Sequence, residues 1–354
     1  MVSKLELPLS VKEEIEKNNI DSENIARVVS VHKDCYVVNH QNNNLSAEIT
    51  GNLRFNAQSA GDFPVVGDWV EIVPFDEASA IIIKVLSRFS LLKRKAIGKV
   101  NDIQFIASNI DYCFICMALN HDFNLKRLDR YMSVCAEGNI VPVVLLTKSD
   151  LLEANRVEEV KQSVVSRFPE TQTIVTSMEN ETSFRFITDS FQDGKSYCFV
   201  GSSGVGKSTI INYLLGNEVL KTATISESTQ KGKHTTTHRE LFYLSNGAIV
   251  IDTPGMRELG LTDSAKGVEA TFSRLTALEQ ECKYSNCTHV NEAGCAVLDA
   301  LYNEELSQEE YDSYMKLHRE QMHFAESMLD KKRKGKALSK RIKEVKTNRK
   351  NLKF

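Results

Sequence analysis

The pattern of apolar and polar positions along the chain begins with a β-rich segment. Between about residues 25 and 95, short runs of β-branched and apolar residues alternate with breaks that contain Asn, Gly and Pro. The runs are Arg27–Val31, Tyr36–Asn39, Ala47–Thr50, Asp68–Val73 and Ala80–Leu86. Five short strands with this spacing predict a five-stranded β-barrel of the OB type over residues 23–95.

Residues 1–22 form an N-terminal extension, in which Ser10 and Glu13 predict the capping box of a short helix. Barrels of the OB type often bind oligonucleotides, but this one has no obvious ladder of aromatic side chains on which bases could stack. The sequence therefore leaves the barrel's ligand open. A barrel that only packs against its neighbour is the alternative.

The pattern changes after residue 101. Residues 111–119 and 141–150 are continuously apolar, as expected for strands buried on both faces of a parallel sheet, and residues 125–138 between them have helical spacing that ends at Gly138. Further strand-like runs lie at residues 171–178, 195–204 and 240–255. Alternating strands and helices predict an α/β mononucleotide-binding domain over residues 101–262.

A third pattern follows this domain. Residues 263–330 read as a mostly helical module that contains cysteines, and residues 331–354 are a basic tail. Within the module, Ser307 and Glu310 predict a capping box at the start of an amphipathic helix. The predicted fold class is therefore a multidomain protein of barrel, α/β domain and helical module.

A phosphate-binding loop is the clearest motif of the α/β domain. Residues 201–208 match G-x-x-x-x-G-K-[ST] between a strand-like and a helical run, which is the context the motif requires. Its glycines let backbone N–H groups surround phosphate oxygens, Lys207 reaches the β- and γ-phosphates, and Ser208 holds Mg²⁺. The predicted phosphate-binding residues are Gly201, Ser202, Ser203, Gly204, Val205, Gly206, Lys207, Ser208 and Thr209.

Three more strand ends carry candidate nucleotide contacts. Asp252 and Gly255 of a D-T-P-G run could meet Mg²⁺ and the γ-phosphate. The run Thr147–Asp150 resembles the N-K-x-D element of GTPases, with Thr147 in place of Asn. There the Asp150 carboxylate could accept two guanine N–H groups while the stem of Lys148 lies along the base. Residues 176–178 look like the loop whose backbone meets guanine O6, and we expect Ser177 and Met178 to contact the base.

Four side chains in the helical module have the spacing of a metal site. Cys282, Cys287, His289 and Cys295 supply three thiols and one imidazole, enough for a closed tetrahedral Zn²⁺ site. A closed site has no free position for substrate, so we expect one structural zinc ion. Cys113 and Cys116 lie three residues apart on a strand and point to opposite faces, which argues against a redox pair.

The order of the loops is unusual, because the base-reading loops precede the phosphate loop, whereas most GTPases have the reverse order. The α/β domain is therefore predicted to be circularly permuted. This order, between a five-stranded barrel and a Cys/His module, resembles the ribosome small-subunit-dependent GTPase A family (RsgA, also called YjeQ or YloQ) over nearly the whole chain. The resemblance implies GTP hydrolysis to GDP and phosphate, stimulated by the small ribosomal subunit and its rRNA, and a role in late maturation of that subunit.

The resemblance also assigns catalytic roles. It implies that Thr236 completes the Mg²⁺ shell with Ser208 and Asp252, with Thr235 as the alternative. Many GTPases orient the attacking water with a Gln after the D-x-x-G glycine, but Met256 cannot do so. The resemblance gives this role to His234, while His238, ribosomal groups or water alone remain alternatives. The predicted catalytic set is His234, Lys207 and Thr236, and turnover is expected to be slow because no arginine finger is evident in cis.

Charge divides the chain in two. The tail (331–354) has a net charge of +11 and the rest of the chain −14, which together give −3. This asymmetry favours a polyanionic partner for the tail, and the resemblance makes RNA phosphates the expected one. A tail that only aids solubility is the alternative. No apolar run approaches the roughly 18 residues of a membrane span, and the N-terminus lacks a signal-peptide core, so we expect a cytoplasmic monomer without membrane contact.

Two other functions stay open. One is an RNA-binding module in which nucleotide occupancy matters and hydrolysis is incidental. The other is an ATP-using P-loop enzyme, against which Asp150 argues. For the GTPase we hypothesise a switch, in which the GTP form holds barrel and zinc module in a ribosome-binding arrangement and hydrolysis releases them.

Overall fold

The computed structural model describes residues 7–32, 35–96, 102–120, 123–177, 179–216, 239–253 and 265–326. Several predicted site residues lie outside these ranges, namely Met178, His234, Thr235, Thr236, His238, Gly255, Met256 and the tail at 331–354. The chain divides into two compact units, one of residues 1–94 and 104–260 and one of residues 95–103 and 261–354. Among the described helices, none is both long and apolar enough to cross a membrane.

The predicted barrel is present in the first unit. Its strands are β1 (Ile25–Val31), β2 (Tyr36–His40), β3 (Asn43–Ile49), β4 (Trp69–Pro74) and β5 (Ser79–Val85). They pair in the closed order β1-β2-β3-β5-β4-β1, with β3 and β5 parallel and the other pairs antiparallel. Each strand overlaps one of the five predicted runs. The inward side chains form one apolar core, which contains Ala26, Val28, Val38, Leu45, Ala47, Val70, Ile72, Ala80 and Ile82.

Two short helices accompany the barrel. Helix α1 (Leu9–Asn18) precedes it, but Pro8 is the N-cap residue and Ser10 lies inside the first turn, so the predicted Ser10 capping box is wrong. The Pro8 carbonyl accepts from the N–H groups of Val11 and Lys12 instead. Helix α2 (Gly51–Asn56) was not predicted, and it begins where Thr50 Oγ1 accepts from the N–H of Leu53 at 3.1 Å.

A mostly parallel sheet forms the rest of the first unit. After a two-stranded sheet of β6 (Leu91–Lys95) and β7 (Ile103–Ser108), its strands are β8 (Tyr112–Ala118), β9 (Val141–Thr147), β10 (Thr173–Val175), β11 (Ser196–Gly201), β12 (Glu240–Tyr243) and β13 (Ile249–Asp252). They lie in the order β10-β9-β8-β11-β13-β12, and β12 is antiparallel to its neighbour β13. The connecting helices are α3 (Leu125–Glu137), α4 (Ala154–Arg167), α5 (Glu181–Asp189) and α6 (Lys207–Leu215). Helix α3 ends at Gly138 as predicted.

The two faces of β8 confirm the interpretation of its cysteines. Cys116 packs in the apolar cluster that contains Phe114 and Val143. Cys113 instead hydrogen-bonds with the side chains of Cys135 and Cys198, and these bonds, with burial, raise the pKa of its thiol well above the usual value. The two side chains therefore lie on opposite faces of the sheet, and Cys113 has the properties of an inert core residue.

The barrel and the parallel sheet are joined by backbone pairing and by buried polar contacts. Strand β1 pairs with β12 at Ser30 and Glu240, which makes one continuous sheet of eleven strands. The buried Arg27 guanidinium of β1 donates through Nη2 to Ser196 Oγ at 2.8 Å and to the Asn109 carbonyl at 3.3 Å. These acceptors belong to the α/β part of the chain, so Nη2 of a barrel side chain is paired across the junction, whereas the buried Nε of Arg27 has no hydrogen-bond partner among the described residues.

A second buried group at this junction is Asp68. Its carboxylate accepts from Arg88 Nε at 2.7 Å and Arg88 Nη2 at 2.6 Å, and it also accepts from the hydroxyl of Ser108 on β7. Asp68 is fully buried and Arg88 nearly so. A buried carboxylate with this many donors is stable only while they remain in place.

The second unit is mostly helical in its described residues at 265–326. It contains α7 (Ala265–Thr271), α8 (Ser273–Gln280), α9 (Ala296–Tyr302) and α10 (308–326). The N–H of Glu310 donates to Ser307 Oγ at 3.2 Å, which confirms Ser307 as the predicted cap of the last helix.

The Asp68 contact predicts a large loss of stability on removal of its partner. We expect Arg88→Ala to lower the free energy of unfolding by about 3 kcal/mol, because it leaves a buried carboxylate without its cation. The exposed Arg54→Ala is the matched control and should change it by less than about 0.5 kcal/mol. Urea unfolding followed by circular dichroism measures both, and equal midpoints would contradict the prediction.

Candidate functional site

The predicted nucleotide loops meet at one edge of the parallel sheet. In the pairing of β8 with its neighbours, Gly201 of β11 lies opposite Cys116, and Thr147 of β9 lies opposite Ala118. The phosphate loop and the predicted base-reading loop therefore leave the same edge of the sheet, from the two strands that flank β8. This is the edge at which nucleotides bind in open α/β sheets, since the carboxyl ends of parallel strands meet there.

The backbone of the phosphate loop depends on its glycines. Gly201, Gly204 and Gly206 have φ angles of 143°, 77° and 98°, all in the region that favours glycine. A Cβ on Gly201 would lie 2.3 Å from the carbonyl oxygen of Cys116, so no larger residue fits between β11 and β8. Helix α6 then starts at Lys207, and its first turn carries Ser208 and Thr209. The local geometry is that of a phosphate-binding turn before a helix N-terminus.

Lys207 lies within this loop. Its Nζ donates to the carbonyl oxygens of Gly201 at 2.8 Å and Ser202 at 2.6 Å. It also lies close enough to Asp252 to lower the pKa of that carboxyl, although burial has the larger effect and raises the pKa to about 6. The strand end of β13 thus places the Asp252 carboxylate within electrostatic reach of the P-loop lysine, and its contact with Mg²⁺ stays a prediction.

Thr147 connects the two loops directly. Its hydroxyl is buried and donates to the Val205 carbonyl of the phosphate loop at 2.8 Å, with the Met117 carbonyl at 3.5 Å. The N–H of Leu119 donates to the Thr147 carbonyl at 2.8 Å. The residue that departs from the usual Asn therefore makes a polar contact that holds the base-reading loop against the phosphate loop.

The remaining base-reading residues form a second connected group. Lys148 takes a left-handed conformation with φ 58° immediately after β9. The Ser177 hydroxyl donates to the Asp150 carboxylate, and the N–H of Ser149 donates to the Thr176 carbonyl at 3.2 Å. The structure thus brings residues 147–150 and 176–177 together, although they are separated by helix α4 in the chain.

The four predicted metal ligands are also brought together. The ligand atoms of Cys282, Cys287, His289 and Cys295 lie within 4.8 Å of one another. His289 Nδ1 is 3.4 Å from Cys295 Sγ and 3.7 Å from Cys282 Sγ, and the two sulfurs are 3.9 Å apart. Ligands at zinc-bonding distances in a tetrahedron are separated by about 3.4–3.8 Å. The cluster therefore fits a tetrahedral zinc ion, with Nδ1 as the imidazole ligand atom.

Two contacts that the sequence reasoning missed orient His289. Its Nε2 is 2.9 Å from Glu279 Oε1, and Glu279 in turn accepts from the hydroxyl of Tyr314. The Tyr311 hydroxyl donates to the His289 carbonyl at 2.6 Å. A carboxylate on the far nitrogen fixes the ring and strengthens it as a ligand. The available signal was an acidic residue three positions before Cys282 on an amphipathic helix, which looks like a solvated residue.

The loop between His289 and Cys295 is ordered by Glu292. Its carboxylate accepts from the Thr288 hydroxyl and from the N–H groups of Thr288, Val290 and Asn291, the last three at 2.9 to 3.1 Å. The Thr288 hydroxyl and these N–H groups lower the pKa of Glu292 to about 2. The carboxylate therefore stays ionised at neutral pH and holds the turn that presents His289.

The raised pKa of Asp252 predicts a pH-dependent stability difference. In the protein without Mg²⁺ and nucleotide, the buried negative charge of Asp252 lowers the free energy of unfolding. This loss of stability is absent below the usual pKa of 3.8, increases between pH 4 and 6, and is complete above the folded-state pKa of about 6. Asp252→Asn should therefore be more stable than the unsubstituted protein by about 2–3 kcal/mol at pH 7.5. Urea unfolding should show this difference shrink to about 1 kcal/mol as the pH falls to 4.5, whereas a constant difference would contradict the assignment.

The Glu279 contact predicts weaker metal binding without it. Loss of a carboxylate behind a histidine ligand typically lowers metal affinity about 10–100-fold, and we expect Glu279→Ala to lower zinc affinity by at least about tenfold. Glu281→Ala, an exposed residue next to the same helix end, should leave it unchanged. Competition with a chromophoric chelator measures zinc affinity, and equal values for the two variants would overturn the role of Glu279.

The chain is similar to a set of GTPases. The family described as RsgA GTPase matches residues 85–262. A protein of Bacteroides thetaiotaomicron named Small ribosomal subunit biogenesis GTPase RsgA 1 is 38% identical, covering 92% of this chain and 91% of its own length. One of Lactiplantibacillus plantarum, named Small ribosomal subunit biogenesis GTPase RsgA 2, is 40% identical over 89% of this chain and 87% of its own.

Solved structures show the same fold. The crystal structure of YjeQ from Thermotoga maritima has a TM-score of 0.65 at 24% identity, covering 84% of this chain and 98% of that one. The crystal structure of YloQ, a circularly permuted GTPase, has a TM-score of 0.61 at 22% identity, and the match covers 84% of this chain and 95% of that one. The prediction of a circularly permuted domain after an OB-like barrel is therefore confirmed. On its sequence similarity and on these motifs, this chain belongs to the RsgA GTPase family.

Proposed function

We propose that this chain is a GTPase that binds the small ribosomal subunit, acts in its late maturation and hydrolyses GTP to GDP and phosphate with stimulation by the subunit. Its membership of the RsgA GTPase family supports the proposal. The single observation that carries the nucleotide assignment is the hydrogen bond from Thr147 Oγ1 to the Val205 carbonyl. That bond joins the proposed base-reading loop to the phosphate loop at one sheet edge, as a single nucleotide in contact with both loops would require.

The nucleotide would be held from both ends. Residues Gly201–Thr209 would surround the phosphates with backbone N–H groups, and Lys207 would turn from its present carbonyl partners to the β- and γ-phosphates. Asp150, already oriented by Ser177, would accept the N1 and N2 protons of guanine. Adenine has no such donor pair, so this carboxylate would select GTP over ATP.

Magnesium would be held at the phosphate end of the site. Ser208 and Asp252 are the described candidates, and Thr236 would complete the shell when the γ-phosphate is present. The ion would neutralise charge that develops on the γ-phosphoryl group during attack by water. His234 would position that water in place of the usual Gln, and Gly255 would contact the γ-phosphate.

The second unit would serve ribosome binding. One zinc ion held by Cys282, Cys287, His289 and Cys295 would be structural, because four protein ligands leave no open position. The basic tail (331–354) would contact rRNA phosphates, with binding that weakens as salt rises. We infer a monomeric protein that acts in the cytoplasm and has no membrane partner.

Phosphate release from GTP and from ATP, with and without purified small ribosomal subunits, tests the proposal. We expect the subunit to stimulate GTP hydrolysis and to leave ATP hydrolysis unchanged. Asp150→Ala should raise the KM for GTP by about 100-fold, since two charge-assisted hydrogen bonds contribute about 3 kcal/mol. The exposed Asp189→Ala is the matched control.

Each part of the proposal can fail separately. Equal use of ATP and GTP would reject the base assignment, and an unchanged KM for Asp150→Ala would reject its residue. GTP hydrolysis without any response to the subunit would leave a GTPase but reject the ribosomal partner.

A further inference from the structure

The side chain of Ser202 in the phosphate loop is held by helix α3. Arg127 Nη1 donates to Ser202 Oγ at 2.5 Å. The same hydroxyl also hydrogen-bonds with the phenol of the buried Tyr131, one turn further along α3. Neither Arg127 nor Tyr131 belongs to any of the sequence motifs for nucleotide binding. The loop is therefore attached to an element that follows a different strand, β8.

Arg127 is itself placed by the start of α3. Asn124 is the N-cap residue, and its side-chain oxygen accepts from the N–H of Arg127 at 3.2 Å. This cap fixes the first helical turn. The guanidinium is partly buried at the loop. A hydrogen bond from a charged donor in such a position is stronger than one between neutral groups.

Ser202 has a second anchor on its backbone, which nucleotide binding would weaken. In this structure Lys207 Nζ donates to the Ser202 carbonyl at 2.6 Å. A phosphate in the loop would compete for the three N–H donors of this ammonium group. The hydrogen bond from Arg127 reaches Ser202 through its side chain and not through its backbone. It therefore holds the loop independently of Lys207.

The loop needs such an external anchor because its own backbone is permissive. Ser202 lies between Gly201 and Gly204, whose φ angles of 143° and 77° lie in the region that favours glycine, and a Cβ on Gly204 would meet nothing within 4 Å. A glycine-rich segment loses much conformational entropy when it is fixed. If the loop is already fixed before the ligand binds, this entropy is not lost during binding, and the affinity is higher.

We propose that Arg127 is a positioning residue for the phosphate loop, which acts through Ser202 to keep the loop in its nucleotide-binding shape. The proposal rests on the proposed role of residues 201–209 in phosphate binding. GDP and GTP use the same loop for their α- and β-phosphates. Arg127 therefore supports the affinity for both nucleotides, and it does not select the transition state of hydrolysis.

Equilibrium binding of fluorescent GDP and of a nonhydrolysable GTP analogue to the full-length, zinc-loaded protein tests this. We expect Arg127→Ala and Ser202→Ala each to raise both Kd values by about tenfold, as loss of one charge-assisted hydrogen bond predicts. The double variant should bind no more weakly than Ser202→Ala alone, because Ser202→Ala already removes the contact with Arg127 together with the one with Tyr131. Arg127→Lys should recover part of the loss.

The control is Arg156→Ala, an exposed arginine on α4 paired with Glu159, which should leave both Kd values unchanged. Melting temperatures of the nucleotide-free variants separate a local from a global effect. If Arg127→Ala does not fold, Ser202→Ala and Arg127→Lys decide the outcome, since neither removes a large side chain.

Three results would overturn the proposal. The first is that Arg127→Ala and Ser202→Ala have the same Kd values as the control Arg156→Ala. Another is a double variant weakened about 100-fold, which would mean that the two residues act independently. A third is a fall in kcat with unchanged Kd, because Arg127 would then act on the reaction itself. Lys207→Ala distinguishes failure of the Arg127 proposal from failure of the phosphate-loop assignment. An unchanged Kd in the Lys207 variant would reject the proposed phosphate loop as well.

Discussion

The site depends on the in-register parallel pairing of β8 with β9 and β11. This register places Gly201 beside Cys116 and Thr147 beside Ala118, so the loops that follow β9 and β11 start at the same edge of the sheet on either side of β8. The strands approach so closely at Gly201 that a Cβ would overlap the Cys116 carbonyl. Because the sheet edge brings the loops together, their order in the chain is immaterial to the site. Circular permutation changes the connections and preserves the geometry.

The same sheet also carries the barrel. Backbone pairing between β1 and β12 consists of one residue pair, Ser30 with Glu240, which by itself is a weak connection. Two buried charged side chains of the barrel make the connection between barrel and α/β sheet specific. Arg27 donates to Ser196 and Asn109 of the α/β part, and Asp68 accepts from Ser108 of the same part. Separating barrel from sheet would leave these groups buried or newly solvated without their partners. Strand β12 directly follows the segment that contains His234 and Thr236, so the barrel is joined to the element next to the predicted catalytic residues.

Sequence patterns predicted the elements with long or regular periodicity and missed those that depend on tertiary contacts. The barrel strands, the parallel strands and helix α3 were found because their apolar periods are clear. Helix α2 is too short to show a period, and the cap at Ser10 failed because Pro8 starts the helix two residues earlier. A charged residue inside a strand, such as Arg27, looks exposed until its acceptors are known. Glu279 was missed for the same reason, since its contact with His289, ten residues later, depends on the fold of the intervening loop.

Thr147 illustrates what a motif position requires. An asparagine at this position of a base-reading loop offers an amide, yet the contact seen here needs only one donor that reaches the Val205 carbonyl. A threonine hydroxyl supplies that donor, and its branched Cβ favours the extended backbone in which β9 ends. Asparagine more readily takes the left-handed conformation, which in this chain falls on the next residue, Lys148. Thr147 therefore connects the two loops, and in the proposed function the choice of guanine would fall to Asp150 and the residues that orient it.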